Sequence, residues 1–380
     1  MVDVVITGTG LYVPEGRLDN EQLVAAFNAY VDTFNAENAP DIEAGTVEAL
    51  AYSSVEFIEK ASGIKARHLI EATGPADVTR MKSHLPEDAH GSEDKPSVQA
   101  AMAIEAAKQA MDAAGVTADE IDNVICSSAS PQRYFPAMSI EVQYFLGIKG
   151  TASDMVMGCS SATYAMIAAV NAIKAGTCDR VLMVNPEIFS SMVNYKDRDS
   201  HFIFGDIADA VILERADLAE KRGAKEQWLI RDTKSETHYS RNILSHFGPL
   251  TKIDDDSIDR EDMFFVQQGR KVFKELLPLV TEFIGSQLQA NNLTVDHVNR
   301  MWLHQANINM NNYAAKKLLG RDPSFEEAPT VLQDYGNIAG AGSVVAFHKH
   351  REDLSVGSRG LICSFGAGYS IGSLLVERIH

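Results

Sequence analysis

Val116-Thr117-Ala118-Asp119-Glu120-Ile121-Asp122-Asn123-Val124-Ile125-Cys126 and Leu293-Thr294-Val295-Asp296-His297-Val298-Asn299-Arg300-Met301-Trp302-Leu303 are one pattern written twice, at a constant offset of 177 residues. In each copy a helix ends, a Thr-x-Asp segment offers the short polar side chains that cap a turn, and an apolar run enters a strand. Two related helix–turn–strand units predict a duplicated α/β fold. One half is placed at residues 1–190 and the other at residues 191–380.

Apolar spacing predicts the neighbouring elements outward from the repeat. A helix over 97–115 carries Ala101, Ala103, Ile104, Ala107, Ala110 and Met111 at helical intervals. Strands are predicted at 4–7, 124–128, 180–185, 300–304, 360–365 and 370–377, with helices at 160–176, 273–290 and 309–319. Residues 28–52 and 71–95 are polar, rich in Asp, Glu, Asn and Pro, and lack a clean period. They are read as insertions on the core.

The composition is that of a globular chain: 45% hydrophobic and 23% charged over 380 residues. No apolar run reaches the ~18 residues that a membrane span requires. The first residues lack the basic segment of a secretory signal and read as a strand, so a cytoplasmic protein is expected. Four cysteines without CxxC spacing disfavour a disulfide framework or a metal site. A net charge of −18 disfavours nucleic acid and anionic membrane as partners.

Met157-Gly158-Cys159-Ser160-Ser161-Ala162-Thr163-Tyr164 places a thiol at the head of an Ala-rich helix. Unpaired N–H groups and the helix dipole there predict a thiolate, the nucleophilic form. Such a nucleophile takes an acyl group from a thioester or ester. The Cys159 N–H and the Gly-rich turn Ser364-Phe365-Gly366-Ala367-Gly368-Tyr369 are candidate oxyanion donors. Two further segments hold candidate partners: Leu303-His304-Gln305-Ala306-Asn307 and Tyr335-Gly336-Asn337-Ile338-Ala339-Gly340. His304 could deprotonate the thiol with Asn337 orienting it, as in hydrolases with the order Cys…His…Asn, although the papain-type signature around the cysteine is absent. A neutral His304 and Asn337 could instead donate two hydrogen bonds to a thioester carbonyl and stabilise an enolate.

These motifs, in this order, resemble the β-ketoacyl-acyl-carrier-protein synthase III family of the thiolase superfamily. Ala61-Ser62-Gly63-Ile64-Lys65-Ala66-Arg67-His68, Phe135-Pro136-Ala137, Leu146-Gly147-Ile148-Lys149-Gly150, and Asp197-Arg198 leading to Phe204-Gly205-Asp206 extend the resemblance over nearly the whole chain. It implies a thiolase-like five-layered αβαβα fold, a homodimer, no cofactor, and a ping-pong decarboxylative Claisen condensation. By the resemblance, an acyl-CoA would acylate Cys159. Malonyl-acyl-carrier protein would then lose carbon dioxide with help from His304 and Asn337, giving a 3-oxoacyl product for fatty acid synthesis. Ala367 matches the second oxyanion donor, and Asn307 ends the His-Gln-Ala-Asn substrate-site motif.

The resemblance also marks departures. Phe57 and Arg198 match an aromatic–arginine clamp for the CoA adenine, with Phe where the family has Trp. Ala61 and Asn309 replace two family arginines. Lys274, Lys316 and Lys317 match a docking patch for the acidic carrier protein, and Arg270 and Lys271 lie close in sequence. Phe135 matches a residue inserted across the dimer into the partner's acyl pocket. The two insertions and three local segments are similar to a longer subgroup, the β-ketodecanoyl-carrier-protein synthases, which implies a medium-chain primer such as octanoyl-CoA. Other readings are a non-condensing acyltransferase, a polyketide- or quinolone-type condensing enzyme, a silent partner subunit and, last, a cysteine hydrolase.

Overall fold

Thr117 and Thr294, the capping threonines of the repeated segment, end in the same geometry. Each side chain accepts the backbone N–H three residues on, and Glu120 or His297 answers by accepting the threonine N–H, a reciprocal capping box around one 3-10 turn. The repeat is therefore a repeat of local structure as well as of letters.

The computed structural model describes residues 2–253 and 260–380. The chain runs through β1 (Val4–Tyr12), β2 (Gly16–Asp19), α1 (Asn20–Glu37), α2 (Ala39–Glu43), α3 (Val55–Ser62), β3 (Ala66–Leu69) and the single turn α4 (Thr73–Ala76). Next come α5 (Val98–Ala114), β4 (Asn123–Ser127), α6 (Met138–Leu146), β5 (Thr151–Met155), α7 (Ser161–Lys174), β6 (Arg180–Ile188) and β7 (Asp206–Arg215). The remainder is α8 (Ala216–Arg222), β8 (Trp228–Thr237), β9 (Ile243–Leu244), β10 (Val266–Gln267), α9 (Gly269–Ala290), β11 (Arg300–Leu303), α10 (Ile308–Leu319), α11 (Leu332–Tyr335), α12 (Gly342–Lys349), β12 (Arg359–Gly366) and β13 (Ser370–Arg378). Every strand and helix expected from the periodicity is present, most of them a few residues longer or shorter than the pattern indicates.

Nine strands form one mixed sheet in the order β11-β12-β13-β8-β1-β7-β6-β4-β5. The stretch β4-β6-β7-β1 has one parallel pair followed by two antiparallel ones, and β11-β12-β13-β8 repeats that pattern. The two sets meet only where Val5 pairs with Leu229 and Ile6 with Trp228. By this correspondence we place the seam between the halves after β7, because β7 pairs only within the first set; a boundary at residue 190 would separate it from its neighbours.

All of these strands but β5 and the second half of β8 are buried on both faces, and alternate residues sort into different layers. Ile125, Val181, Met183, Val211, Ile362, Leu374 and Val376 face a central core built on α7 and α12. Val124, Cys126, Leu182, Val184, Ala210 and Ile212 face α5 on one outside. Met301, Leu303, Leu361, Cys363, Ile371 and Leu375 face α9 and α10 on the other. Helix, strand, helix, strand, helix gives the five-layered thiolase-like architecture.

The first polar stretch proves more ordered than its composition suggests. It begins inside α1, whose Leu23, Phe27 and Val31 are buried in a satellite core with Ile58, Phe202 and Phe204. The second holds α4 and turns, among them a Glu71 carboxylate that accepts the Thr73, Gly74 and His84 N–H groups.

Small residues bring α5 onto β1. A Cβ at Gly8 would lie 2.8 Å from the Ala114 Cβ and amide nitrogen, with backbone on every side. Gly8→Ala is expected to lower the unfolding free energy by about 1–3 kcal/mol through overpacking, read as a lower denaturant midpoint at unchanged slope.

Candidate active site

Gly158–Ser160 form a 3-10 turn that runs directly into α7, and Gly158 takes the left-handed backbone (φ +53°) that starts it. The turn is pinned on two sides. Ser161 Oγ accepts the Met157 N–H at 2.9 Å and donates to the Gly158 carbonyl at 2.7 Å, while Ser160 Oγ donates to the Ser370 carbonyl at 3.0 Å. Opposite Cys159 lies Gly366 at the end of β12, where a Cβ would sit 2.5 Å from the Cys159 Cβ and 3.0 Å from its Sγ.

The backbone N–H groups of Ala367 and of Cys159 itself are directed at the Cys159 sulfur. Both lower the thiol's pKa, yet burial with help from the Glu187 carboxylate pushes it up to about 12. The ready thiolate expected at a helix start is thus not the resting form. Cys159 is 8% exposed, and loss of water outweighs the donors around it.

His304 follows β11, which runs parallel to β12, and its N–H donates to the Cys363 carbonyl at 2.8 Å. Its ring stands edge-on to Phe365, 5.4 Å between centroids, one residue before the Gly366 that faces Cys159. The next residue braces it: Gln305 donates to the Leu303 carbonyl and accepts the Val331 N–H, at 2.8 and 2.9 Å. Burial lowers the His304 pKa to about 4, so the ring is neutral at physiological pH. Nδ1 is buried with no partner. No acceptor holds a proton there, which leaves Nε2 as the N–H donor.

Asn337 lies in the turn after α11, where its N–H donates to the Ile203 carbonyl and its Oδ1 accepts the Ala339 N–H at 3.0 Å. With the amide oxygen engaged, the NH2 group is left to donate. The turn Ala339–Ala341 packs on Gly158–Ser160, which brings the Asn337 segment to the nucleophile. The structure therefore gathers the three motifs of the sequence at one place on the seam between the halves.

A cavity of about 610 Å³ reaches Asn337, with neither Cys159 nor His304 on its wall. Phe57, Ala61, Phe202, Ile203, Arg270, Lys274, Ala306, Asn307 and Asn337 are among its walls. Asn307 is a wall that also caps α10: Nδ2 donates to the Ala61 carbonyl and Oδ1 accepts the Asn309 N–H. Arg198 stacks over Phe57 at 3.9 Å from the ring centroid. Of the expected docking lysines, Lys274 borders the cavity, Lys316 and Lys317 lie in the last turn of α10, and Lys316 is paired with Asp322 at 2.8 Å. Phe135 is 84% exposed and forms no part of this cavity in its own chain.

Two segments match the family descriptions of 3-oxoacyl-[acyl-carrier-protein] synthase III. Residues 153–228 match the first and hold Cys159. Residues 288–378 match its C-terminal part and hold His304, Asn337 and Ala367. The β-ketodecanoyl-[acyl-carrier-protein] synthase of Pseudomonas aeruginosa is 49% identical over 353 residues, 93% of this chain and 99% of that enzyme. The chain belongs to the synthase III family. A β-ketoacyl-[acyl-carrier-protein] synthase III of Bradyrhizobium diazoefficiens is 28% identical over 376 residues, 98% of each chain. Among solved structures, the synthase III of Aquifex aeolicus has a TM-score of 0.74 and 26% identity over 98% of this chain and 99% of its own. The priming β-ketosynthase of the R1128 polyketide pathway has a TM-score of 0.77 at 21% identity, over 99% and 96%.

This synthase III carries a group that motif reading missed. Glu187, buried at the end of β6, accepts the Ala129 N–H, the Ser128 and Ser130 hydroxyls, and the Gly340 N–H at 3.2 Å. Burial raises its pKa to about 7 against these donors. The signal was an acidic residue three positions past an apolar strand run, Val181 to Val184. No helix among the described residues is long and apolar enough to cross a membrane.

A thiol held near pKa 12 gains thiolate with every step of pH. The iodoacetamide alkylation rate of Cys159 is expected to rise about tenfold per pH unit from 7 to 10 without a plateau. A plateau near pH 7 would mean that the N–H donors prevail over burial.

Proposed function

We propose that this enzyme joins a medium-chain acyl-CoA, octanoyl-CoA foremost, to malonyl-acyl-carrier protein with loss of carbon dioxide, giving 3-oxodecanoyl-acyl-carrier protein. The observation that carries the reading is the set of donors around Cys159. Two backbone N–H groups act on the sulfur, and the segments that carry a neutral imidazole and an amide whose oxygen is engaged pack on the strand and turn around it. Donors without a buried basic partner suit oxyanions better than they suit deprotonation of water. The chain length rests on the Pseudomonas relative's name, since a ten-carbon 3-oxo product requires an eight-carbon primer once malonyl adds two.

In the first step the Cys159 sulfur attacks the acyl carbonyl. The oxyanion is held by the Cys159 and Ala367 N–H groups, the bond to the CoA sulfur breaks, and the thiol proton leaves with that sulfur. In the second, the malonyl thioester carbonyl accepts hydrogen bonds from His304 Nε2 and Asn337 Nδ2. Carbon dioxide departs, its bonding pair becomes the enolate, and the enolate carbon attacks the acyl carbonyl; the carbon–sulfur bond breaks to release Cys159 as a thiolate, which regains its proton from solvent. Lys274 and Arg270 at the cavity wall would meet the acidic carrier, with Lys317 farther along α10. Phe135 would close the acyl pocket of a partner subunit.

Intact-protein mass separates the steps. Cys159→Ala should take up no acyl group from octanoyl-CoA. His304→Ala and Asn337→Ala should acylate normally and lose about 10²–10³ in carbon dioxide release from malonyl-acyl-carrier protein. A His304→Ala enzyme that cannot be acylated, beside an Asn337→Ala enzyme that condenses normally, would overturn this division. A two- to twelve-carbon acyl-CoA series, read as the fraction of Cys159 acylated, should peak at eight.

A further inference from the structure

The segment over residues 20–53 is tied to Arg198, beside the cavity-wall residue Phe57, through a ladder of side chains on one face of α1. Asn28 and Asn35 stand two turns apart, and each pairs with a residue of the returning chain as a strand edge would. Asn28 donates to the Ser53 carbonyl at 3.1 Å and accepts the Ser53 N–H at 2.9 Å. Asn35 donates to the Leu50 carbonyl at 3.0 Å and accepts the Leu50 N–H at 2.9 Å. Between them Asp32 accepts the Tyr52 hydroxyl.

Residues 50–53 are thus strapped to α1, and the strap ends on Arg198. The Tyr52 carbonyl accepts the Arg198 Nε–H at 2.8 Å, which holds the guanidinium against the Phe57 ring. The same helix grips Arg198 by its backbone. Phe27 stacks on His201 at 4.6 Å and 21°, and His201 Nδ1 donates to the Asp197 and Arg198 carbonyls, each at 3.0 Å. With 3.9 Å between guanidinium and ring centroid, no planar base fits between them. The Arg198 side chain is still 35% exposed. A guanidinium stacked on one face can stack a second planar group on the other.

We propose that Asn28, Asn35 and His201 are positioning residues that fix Arg198 as a one-sided shelf for the nucleotide end of the acyl donor, in place of a two-sided slot. This rests on the acyl-CoA reading above. A shelf serves only a donor that has a nucleotide, so its loss must depend on the donor.

The test compares Cys159 acylation by octanoyl-CoA and by S-octanoyl-pantetheine, which lacks the nucleotide, in the full-length enzyme. In N28A/N35A the second-order rate constant with octanoyl-CoA should fall about three- to tenfold through KM, the scale of one cation–π contact. With the pantetheine thioester it should change by less than about twofold, within the spread of surface substitutions. In an Arg198→Ala background the strap substitutions should add nothing further. If N28A/N35A does not fold, N35A alone keeps the Asn28 pairing and should give a smaller loss with the same donor dependence. Equal losses with both donors, no loss with octanoyl-CoA, or additive losses on Arg198→Ala would overturn the strap. Acylation of the wild type by neither thioester would overturn the acyl-CoA reading and the strap with it.

Discussion

Everything at the site depends on how closely Gly366 approaches Cys159. One belongs to the first half of the fold and the other to the second, and no side-chain atom fits between them. That approach delivers the Ala367 N–H to the sulfur. It also fixes where Phe365 and His304 stand, since the histidine ring rests on Phe365. From the other side the Ala339–Ala341 turn closes on the Gly158–Ser160 turn and brings Asn337. The sheet joins the halves through a single short pairing at Val5 and Ile6. Alignment of the reactive groups therefore falls to the shared core around α7 and α12.

Burial sets the chemistry within that frame. It raises the Cys159 thiol and the Glu187 carboxyl and lowers the His304 imidazole, three shifts toward the uncharged form. A largely neutral, dry site strengthens every hydrogen bond that charge develops against. Glu187 links the two walls by accepting N–H groups from Ala129 and Gly340.

Much of this was legible in the chain. The Thr-x-Asp repeat gave the duplication, because a capping box is a local device that reads directly as letters. The Cys159, His304 and Asn337 motifs stood out as candidates because each sits at a strand end or glycine-bearing turn. Three things were not legible. The protonation of Cys159 depends on burial by β12 and on Glu187, groups distant in sequence, so a helix-start argument pointed the wrong way. Asn307 lines the cavity and also caps α10, a second role set by the Asn309 N–H and the Ala61 carbonyl that no spacing reveals. Residues 28–52 read as an insertion on the core because Asn28, Asp32 and Asn35 are polar, which hides what they hold. Their partners are backbone groups, and backbone groups leave no mark in a sequence.

The Gly158–Ser160 turn at the head of α7 and the Ala339–Ala341 turn at the head of α12 are counterparts in the duplication. Gly340 occupies the place that Cys159 holds in the other copy. Its N–H goes to Glu187, and a side chain there would press on that carboxylate at 2.9 Å. Each turn thus heads a helix, one carrying the thiol and the other only a backbone N–H, and the bareness of Gly340 is what lets that N–H reach the Glu187 carboxylate.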